Sequence, residues 1–236
     1  TAGANQKPNE TRLDLVQKNA KIMADVVTQI KEQEYKGILL IVSNPVDIMT
    51  QVAMEVSGFP EHRVFGSGTV LDSARLRYHL GQHLGVDSRS VHAFVIGEHG
   101  DSEIAAWSSA NVSGVTLNSF CEMRGHYNHE GNTESIEEQV KNSAYEIIAK
   151  KDATYYGIAM VVKRICQAIV RDEKSIFPIS LRMHGEYALE DVVLSMPAIV
   201  GARGIETTIP ISLDEKEVSR LHESAEMLRE TRKEIR

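Results

Sequence analysis

Residues 38–47, ILLIVSNPVD, decide the fold: an unbroken run of Ile, Leu and Val passes directly into a polar turn. Such a run, with no polar alternation, is the pattern of a strand buried on both faces of a parallel sheet. On its N-terminal side Leu13, Val16, Ala20, Met23, Val27 and Ile30 recur at steps of three and four. That spacing predicts an amphipathic helix of roughly 20 residues, stopped by Tyr35-Lys36-Gly37. On its C-terminal side a second amphipathic stretch, from Pro45 to Ser57, leads through GFPEHR into the short strand-like RVFGSG, residues 63–68. Strand, helix, strand is the βαβ order, so the first third predicts part of a doubly wound sheet.

Further along, VLDSARLRYHLGQHL (70–84) reads as a helix and VHAFVIGEHG (91–100) as one strand ending in a Gly-flanked histidine, followed by a hairpin-like region to about Val115. A helical stretch from about Glu134 to Arg171 breaks near Lys151-Asp152, and its second part carries Ala159, Val162, Ile165 and Ile169 on one stripe. SIFPISLRM and VLSMPAIVG then read as short strands with Gly and Pro punctuation. Asp214 and Glu217 form a capping box that opens a last amphipathic helix through Val218, Leu221, Ala225 and Leu228. The predicted class is α/β: the remnant of a doubly wound domain over residues 1–66, then a mixed α+β unit over 67–236.

With 236 residues, 42% of them apolar and 25% charged, the chain excludes disorder, collagen and coiled coil. A net charge of −7 with dispersed basic residues argues against nucleic acid and anionic membranes as partners. No apolar run approaches the roughly 18 residues that cross a bilayer. Two cysteines, Cys121 and Cys166, lack CxxC spacing; both read as buried small apolar residues, and they fit a reducing, cytoplasmic setting. His79 and His83 stand at i, i+4, but no carboxylate completes an HExxH pattern, so no metal is assigned. Neither GxGxxG nor GxxxxGK[ST] occurs.

Ligands of α/β sheets bind outside the carboxyl ends of the strands, which singles out SNPVD, LDSAR and GEHGD. His99 has the proton affinity for acid–base work at neutral pH, and Asp72 could orient it. Arg75, three residues past Asp72, could grip a substrate carboxylate bidentately. Arg12 follows the loop QKPNET, which could act as a lid. Taken singly, each has a plainer reading: a hydrogen-bonded loop histidine, a first-turn acid, an intrahelical ion pair of Arg75 with Asp72, a solvated Arg12, and Asn44 starting a turn.

The ordered set TAGANQKPNETRLDLV, IVSNPVD, GSGTVLDSARLR, VHAFVIGEHGDSE and KKDATYYGIA resembles the L-lactate dehydrogenase family of the lactate/malate dehydrogenase superfamily, in its bacterial branch, over essentially the whole chain. The resemblance implies an NAD-dependent oxidoreductase that interconverts pyruvate and L-lactate, the last step of lactate fermentation. It implies His99 as proton donor and acceptor, Asp72 as its partner, Arg75 on the substrate carboxylate, Arg12 polarising the carbonyl, and Asn44 between substrate and nicotinamide ribose. Thr154 and Ile158 would line the methyl pocket, and Thr1, Ala2, Gly3, Val42, Asn44 and Ser67 would touch the cofactor. Arg77 and His92 match the basic pair of bacterial members activated by fructose bisphosphate, which implies an allosteric homotetramer in which His92 and His99 end one rigid strand.

Two substitutions depart from the family pattern: Asn9 replaces the lid's usual Gly, and Asp152 stands where KGAT is usual. The family's opening strand, GxGxxG loop and acidic ribose ligand would lie upstream of Thr1, and without them the chain would not bind NAD normally. The rival within the superfamily is a malate dehydrogenase; Gln6, where malate enzymes carry Arg, offers no charge to a second carboxylate and favours pyruvate. A rival of another class is a truncated, noncatalytic homologue that binds anions or assembles with partners. Coding sequence upstream of Thr1 discriminates between the two.

Overall fold

The computed structural model describes residues 3–4, 12–151 and 155–235, the side chains of 12–14, 144–146 and 148–151 excepted. The chain opens with α1 (Arg12–Glu32), β1 (Leu39–Ile41), α2 (Val46–Ser57), β2 (Val64–Gly66) and α3 (Val70–Leu84). Strands β1 and β2 pair in parallel, Leu39 opposite Val64 and Ile41 opposite Gly66, with α2 as the crossover. The expected βαβ order is therefore present. Val16, Ala20, Met23 and Val27 of α1 are all buried, as their spacing predicts.

The segment read as one strand over 91–100 is split. β3 (Val91–His92) pairs with β6 (Asn111–Val112) and, through it, β7 (Val115–Thr116), while β4 (Val95–Ile96) pairs with β5 (Ile104–Ala105). The chain changes partners at Ala93-Phe94, where the Phe94 carbonyl accepts from Ala106 N. A continuous apolar run carries no mark of which neighbour each half will take, so the break is a tertiary outcome.

α4 (Leu117–Met123), α5 (His129–Lys151) and α6 (Tyr156–Val170) follow. On α6 the buried side chains are Val161, Ile165 and Ala168, so the stripe is rotated from the one expected and Ala159 is exposed. Cys166 is also exposed, against its reading as a core residue, whereas Cys121 is buried; both are free thiols.

The two Pro-containing segments are long, not short: β8 (Ser175–His184) and β9 (Glu190–Gly201) form an antiparallel hairpin with Pro178 directly opposite Pro197. Neither proline can donate, so this pair occupies a position where the strands exchange no bonds, and both carbonyls face outward to Thr69 N and Ile209 N. β10 (Gly204–Thr208) completes a five-stranded sheet in the order β1-β2-β8-β9-β10, and α7 (Glu215–Lys233) closes the chain. Asp214 accepts from Glu217 N while Glu217 accepts from Asp214 N, the predicted capping box.

One apolar core packs α1, α2, α6 and α7 against the large sheet. A second gathers Leu76, Leu80 and Leu84 of α3 with Val91, Val112, Leu117, Ile136 and Val140. α3 belongs to both, since Val70 lies in the first. Burying three leucines, at about 1.5–3 kcal/mol each, fixes the rotation of α3 and hence the direction of its polar face.

Candidate active site

The site gathers where β1, β2 and β4 end. Past β2, Ser67 is buried and Gly68 takes φ +51; a Cβ there would lie 2.7 Å from the Pro178 carbonyl oxygen. This close approach lets Thr69 bond both neighbours: its Oγ1 donates to the Val95 carbonyl at 2.5 Å and its N–H to Pro178 O at 3.1 Å. The first turn of α3 is thereby fastened to β4 and β8. One turn inside the helix, Asp72 is buried, and its Oδ1 accepts from Arg75 Nη1 at 3.1 Å.

β4 delivers His99. The imidazole Nδ1 lies 2.7 Å from Asp72 Oδ2, and its side chain remains 28% exposed, so the opposite ring nitrogen can be reached from outside. The loop that carries it is held at three points. Gly97 bridges to Ser195, Glu98 N donates to Ser224 Oγ at 2.8 Å, and His99 N donates to Asp47 Oδ2 at 2.8 Å. Ser102 Oγ donates to Glu98 Oε2 at 2.6 Å and closes the turn.

Burial by itself would lower the proton affinity of His99, but the hydrogen bond and charge of Asp72, with Asp47 and Glu103 behind it, push its pKa up to about 9. For Asp72 burial opposes ionisation, and the bond and charge of His99 with the charge of Arg75 overcome it, holding the carboxyl below its ordinary value. An imidazolium paired with a carboxylate is thus the resting state at neutral pH. A proton on the exposed nitrogen can be given to an oxygen that gains charge, and Asp72 stabilises the cation in the meantime.

Sequence reading brought His99, Asp72 and Arg75 forward, and the fold brings them together. The ion pair considered as the plainer reading of Arg75 is also present, so Asp72 serves both neighbours. Asn44 is exposed at the carboxyl end of β1, Val42 is half-buried beside it, and Ile158 packs half-buried on α6 against the main core. Gly3 is exposed. Thr1, Ala2, Gln6 and Thr154, with Asn9 and Asp152, lie outside the described residues, as does the side chain of Arg12 at the start of α1. Arg77 is half-buried and lines a cleft of about 570 Å³ between α3 and α6, while His92 is exposed on β3. Because β3 and β4 lie in different sheets, His92 and His99 do not end one strand.

Three residues passed over in the sequence matter here. Asn19 of α1 accepts from Ala4 N at 2.7 Å and donates to the Asn44 carbonyl at 3.2 Å, stitching the first described residues to the site. Asp47, inside the quoted NPVD, is fully buried; burial raises its pKa to about 6 against the hydrogen bonds of Ser180 and His99 N. Glu103 is buried with a carboxylate oxygen near both Asp72 and His99, all three ligating atoms lying within 4.8 Å of one another. Burial and the charge of Asp72 raise its pKa to about 8. As a cation site this trio is poor, since both Asp72 oxygens are engaged and Glu103 is protonated at neutral pH. The position of Asp47 in the first turn after a strand end was a usable signal; for Glu103 there was none, because only the β4–β5 pairing folds it back.

A carboxylate, an imidazole and a guanidinium gathered at the ends of α/β strands make a site that can hold an anion and give or take a proton beside it, as an α/β enzyme does. The chain belongs to the lactate/malate dehydrogenase family: its NAD binding domain matches residues 1–66 and its alpha/beta C-terminal domain residues 69–236. An L-lactate dehydrogenase of Acetivibrio thermocellus is 48% identical over 98% of this chain and 73% of its own length. One from Streptococcus pneumoniae is 49% identical over 97% of the chain and 69% of its own length. Among solved structures, the ligand-bound minor L-lactate dehydrogenase of Enterococcus mundtii superposes with a TM-score of 0.96 at 42% identity, over 100% of this chain and 75% of that one. The malate dehydrogenase of Aeropyrum pernix gives 0.89 at 35%, over 100% and 74%.

Proposed function

We propose that this protein is an NAD-dependent oxidoreductase that interconverts pyruvate and L-lactate, the last step of lactate fermentation. The observation that carries the reading is the 2.7 Å contact between His99 Nδ1 and Asp72, with Arg75 on the second Asp72 oxygen. The residues present suit the nicotinamide side of a dinucleotide: Val42, Asn44 and Ser67 stand at the carboxyl ends of two parallel strands, and the Asn44 side chain is exposed. By resemblance to the family, we assign Thr1, Ala2 and Gly3 to the cofactor as well. The dinucleotide, when bound, supplies the hydride for pyruvate reduction and takes it back in lactate oxidation.

His99 gives its Nε2 proton to the ketone oxygen as that oxygen gains charge, and Asp72 holds the Nδ1 proton and stabilises the imidazolium before transfer. In the reverse direction neutral His99 takes the hydroxyl proton. Arg75 holds the substrate carboxylate with the part of its fork that Asp72 leaves open, and Arg12 polarises the carbonyl. Thr154 and Ile158 bound the methyl group, while Gln6 offers no charge to a second carboxylate. L-lactate dehydrogenases at 48–49% identity, against 35% for the malate dehydrogenase of Aeropyrum pernix, favour pyruvate over the malate reading.

We assign residues 1–66 to the nucleotide-binding domain and 67–236 to the substrate domain, a division supported by the two family models over 1–66 and 69–236. Homotetramer formation is supported by large apolar side chains exposed on α6 and at the start of β8: Tyr156, Met160, Val170 and Ile176. Fructose bisphosphate activation at Arg77 and His92 rests on the resemblance of these two positions to the family pattern; Arg77 lines the cleft between α3 and α6, and exposed His92 does not line it. Two free cysteines fit a cytoplasmic enzyme, and no helix among the described residues is long and apolar enough to cross a membrane.

The test is the NADH-dependent reduction of pyruvate and of oxaloacetate by the purified protein and its His99→Asn variant. Pyruvate is the preferred substrate, and the variant loses at least about 100-fold in kcat/KM. Preference for oxaloacetate overturns the substrate, and near-parental turnover by the variant overturns the role of His99.

A further inference from the structure

The reaction as described uses Asp72 beside His99 and Asp47 on its main chain, yet the site buries a further acid. Glu103 reaches it from β5's side of the β4–β5 pair, and its carboxylate shares a 4.8 Å cluster with Asp72 and the imidazole. The groups facing it are Asp72 and Arg75 of α3, His99 beyond β4 and Lys141 of α5, while Arg220 of α7 donates to its main-chain carbonyl at 3.4 Å. Asp47 of α2 acts on His99 as well, and Glu98 in turn acts on Asp47.

We propose that Glu103 is a positioning residue acting through His99: its buried carboxyl forms with Asp72 an acid pair that governs how tightly the imidazole keeps its proton. Two carboxylates this close do not ionise independently, so one of them carries a proton until the pH rises well above the ordinary carboxylate range. Asp72, bonded to both His99 and Arg75, is the one that stays charged; Glu103 is the one that holds the proton, consistent with the direction in which burial and Asp72 move it. Once ionised, Glu103 adds a further negative charge to those of Asp72 and Asp47 beside His99 and postpones loss of the imidazolium proton. The device extends into alkaline conditions the range in which the site can still donate a proton to a ketone.

This inference rests on His99 being the proton donor, and the experiment separates the two. In Glu103→Gln, which keeps size and removes the charge, the His99 imidazole followed by NMR titrates lower by about one pH unit. The alkaline limb of kcat/KM for pyruvate reduction moves down with it, and activity at the acid end is retained. If both titrations stay at the parental position while His99→Asn remains inactive, Glu103 has no such role and only this inference fails. If His99→Asn is active, the underlying reading fails. Should Glu103→Gln not fold, infrared difference spectra of the parent protein decide the matter. A protonated carboxyl band present at neutral pH and lost at a lower pH than the imidazolium proton supports the proposal; a band absent at neutral pH, or one that persists until His99 deprotonates, overturns it.

Discussion

His99 is surrounded by acids, and their combined field sets the pH at which the site works. With His99 as the proposed proton donor, kcat/KM for pyruvate is expected to be full below about pH 8 and to fall through about pH 9, and lactate oxidation to rise over the same interval; initial rates measured in both directions across this range check it. Stability follows the same sign. A histidine whose folded pKa is raised contributes stability that is present below its ordinary 6.5 and lost as pH rises through about 9. Glu103, a carboxyl raised from 4.5 to about 8, binds a proton more tightly folded than unfolded, so its contribution also declines as pH rises. Urea midpoints are therefore expected to fall between pH 6.5 and 9, and His99→Asn to flatten that slope. Asp47 matters for a different reason: it accepts from the His99 N–H and from Ser180 Oγ in a buried setting. Asp47→Ala leaves both donors unpaired and costs about 2 kcal/mol or more in urea unfolding, whereas Asp47→Asn keeps an acceptor and costs less.

At the scale of elements, α3 is the part on which the site depends. Its leucines lock it into the second core, and its first turn is fastened by Thr69 to β4 and β8. Gly68 makes that junction possible, since it combines a left-handed backbone with contact distances that exclude a Cβ. Gly68→Ala is expected to cost about 1–3 kcal/mol for the backbone conformation alone, with further loss as β8 is pushed away. Activity should fall more than global stability, because displacing the start of α3 moves Asp72 off the imidazole. Thermal unfolding and kcat measured on the same preparation check this; equal and small effects on both would show that α3 tolerates the shift.

At the scale of the whole molecule, the separation of His92 from His99 changes how a distant effector could be felt. With β3 and β4 in different sheets, the rigid link between the Arg77 cleft and the catalytic groups is α3 itself, which carries Asp72, Arg75 and Arg77 within two turns. An anion that draws Arg77 toward a neighbouring subunit would act on the same helix that positions the substrate carboxylate's partner. Fructose bisphosphate is expected to lower the pyruvate concentration for half-saturation on the order of tenfold, and Arg77→Gln to abolish the effect. Saturation curves for both proteins with and without the sugar bisphosphate, alongside sedimentation to follow the oligomeric state, check it. Activation that survives the mutation would remove Arg77 from the mechanism.

The amino-acid sequence determined the elements whose patterns are local. The α1 stripe is a matter of side-chain period, the capping box at Asp214 and Glu217 is a four-residue hydrogen-bonding unit, and ILLIV becomes a buried parallel strand because it has no polar face to offer water. The motif set likewise made His99, Asp72 and Arg75 legible, since their residue types and order carry the chemistry. Tertiary structure alone decided the partition of residues 91–96 between two sheets, the opposed prolines of the long β8–β9 hairpin and the rotation of α6. It also decided that Asn19, Asp47 and Glu103 converge on the site from α1, α2 and the β4–β5 pair. The physical reason is common to all of these: strand partners, helix rotation and the proton affinity of a buried acid depend on neighbours distant in sequence, and no local pattern encodes which neighbours those will be.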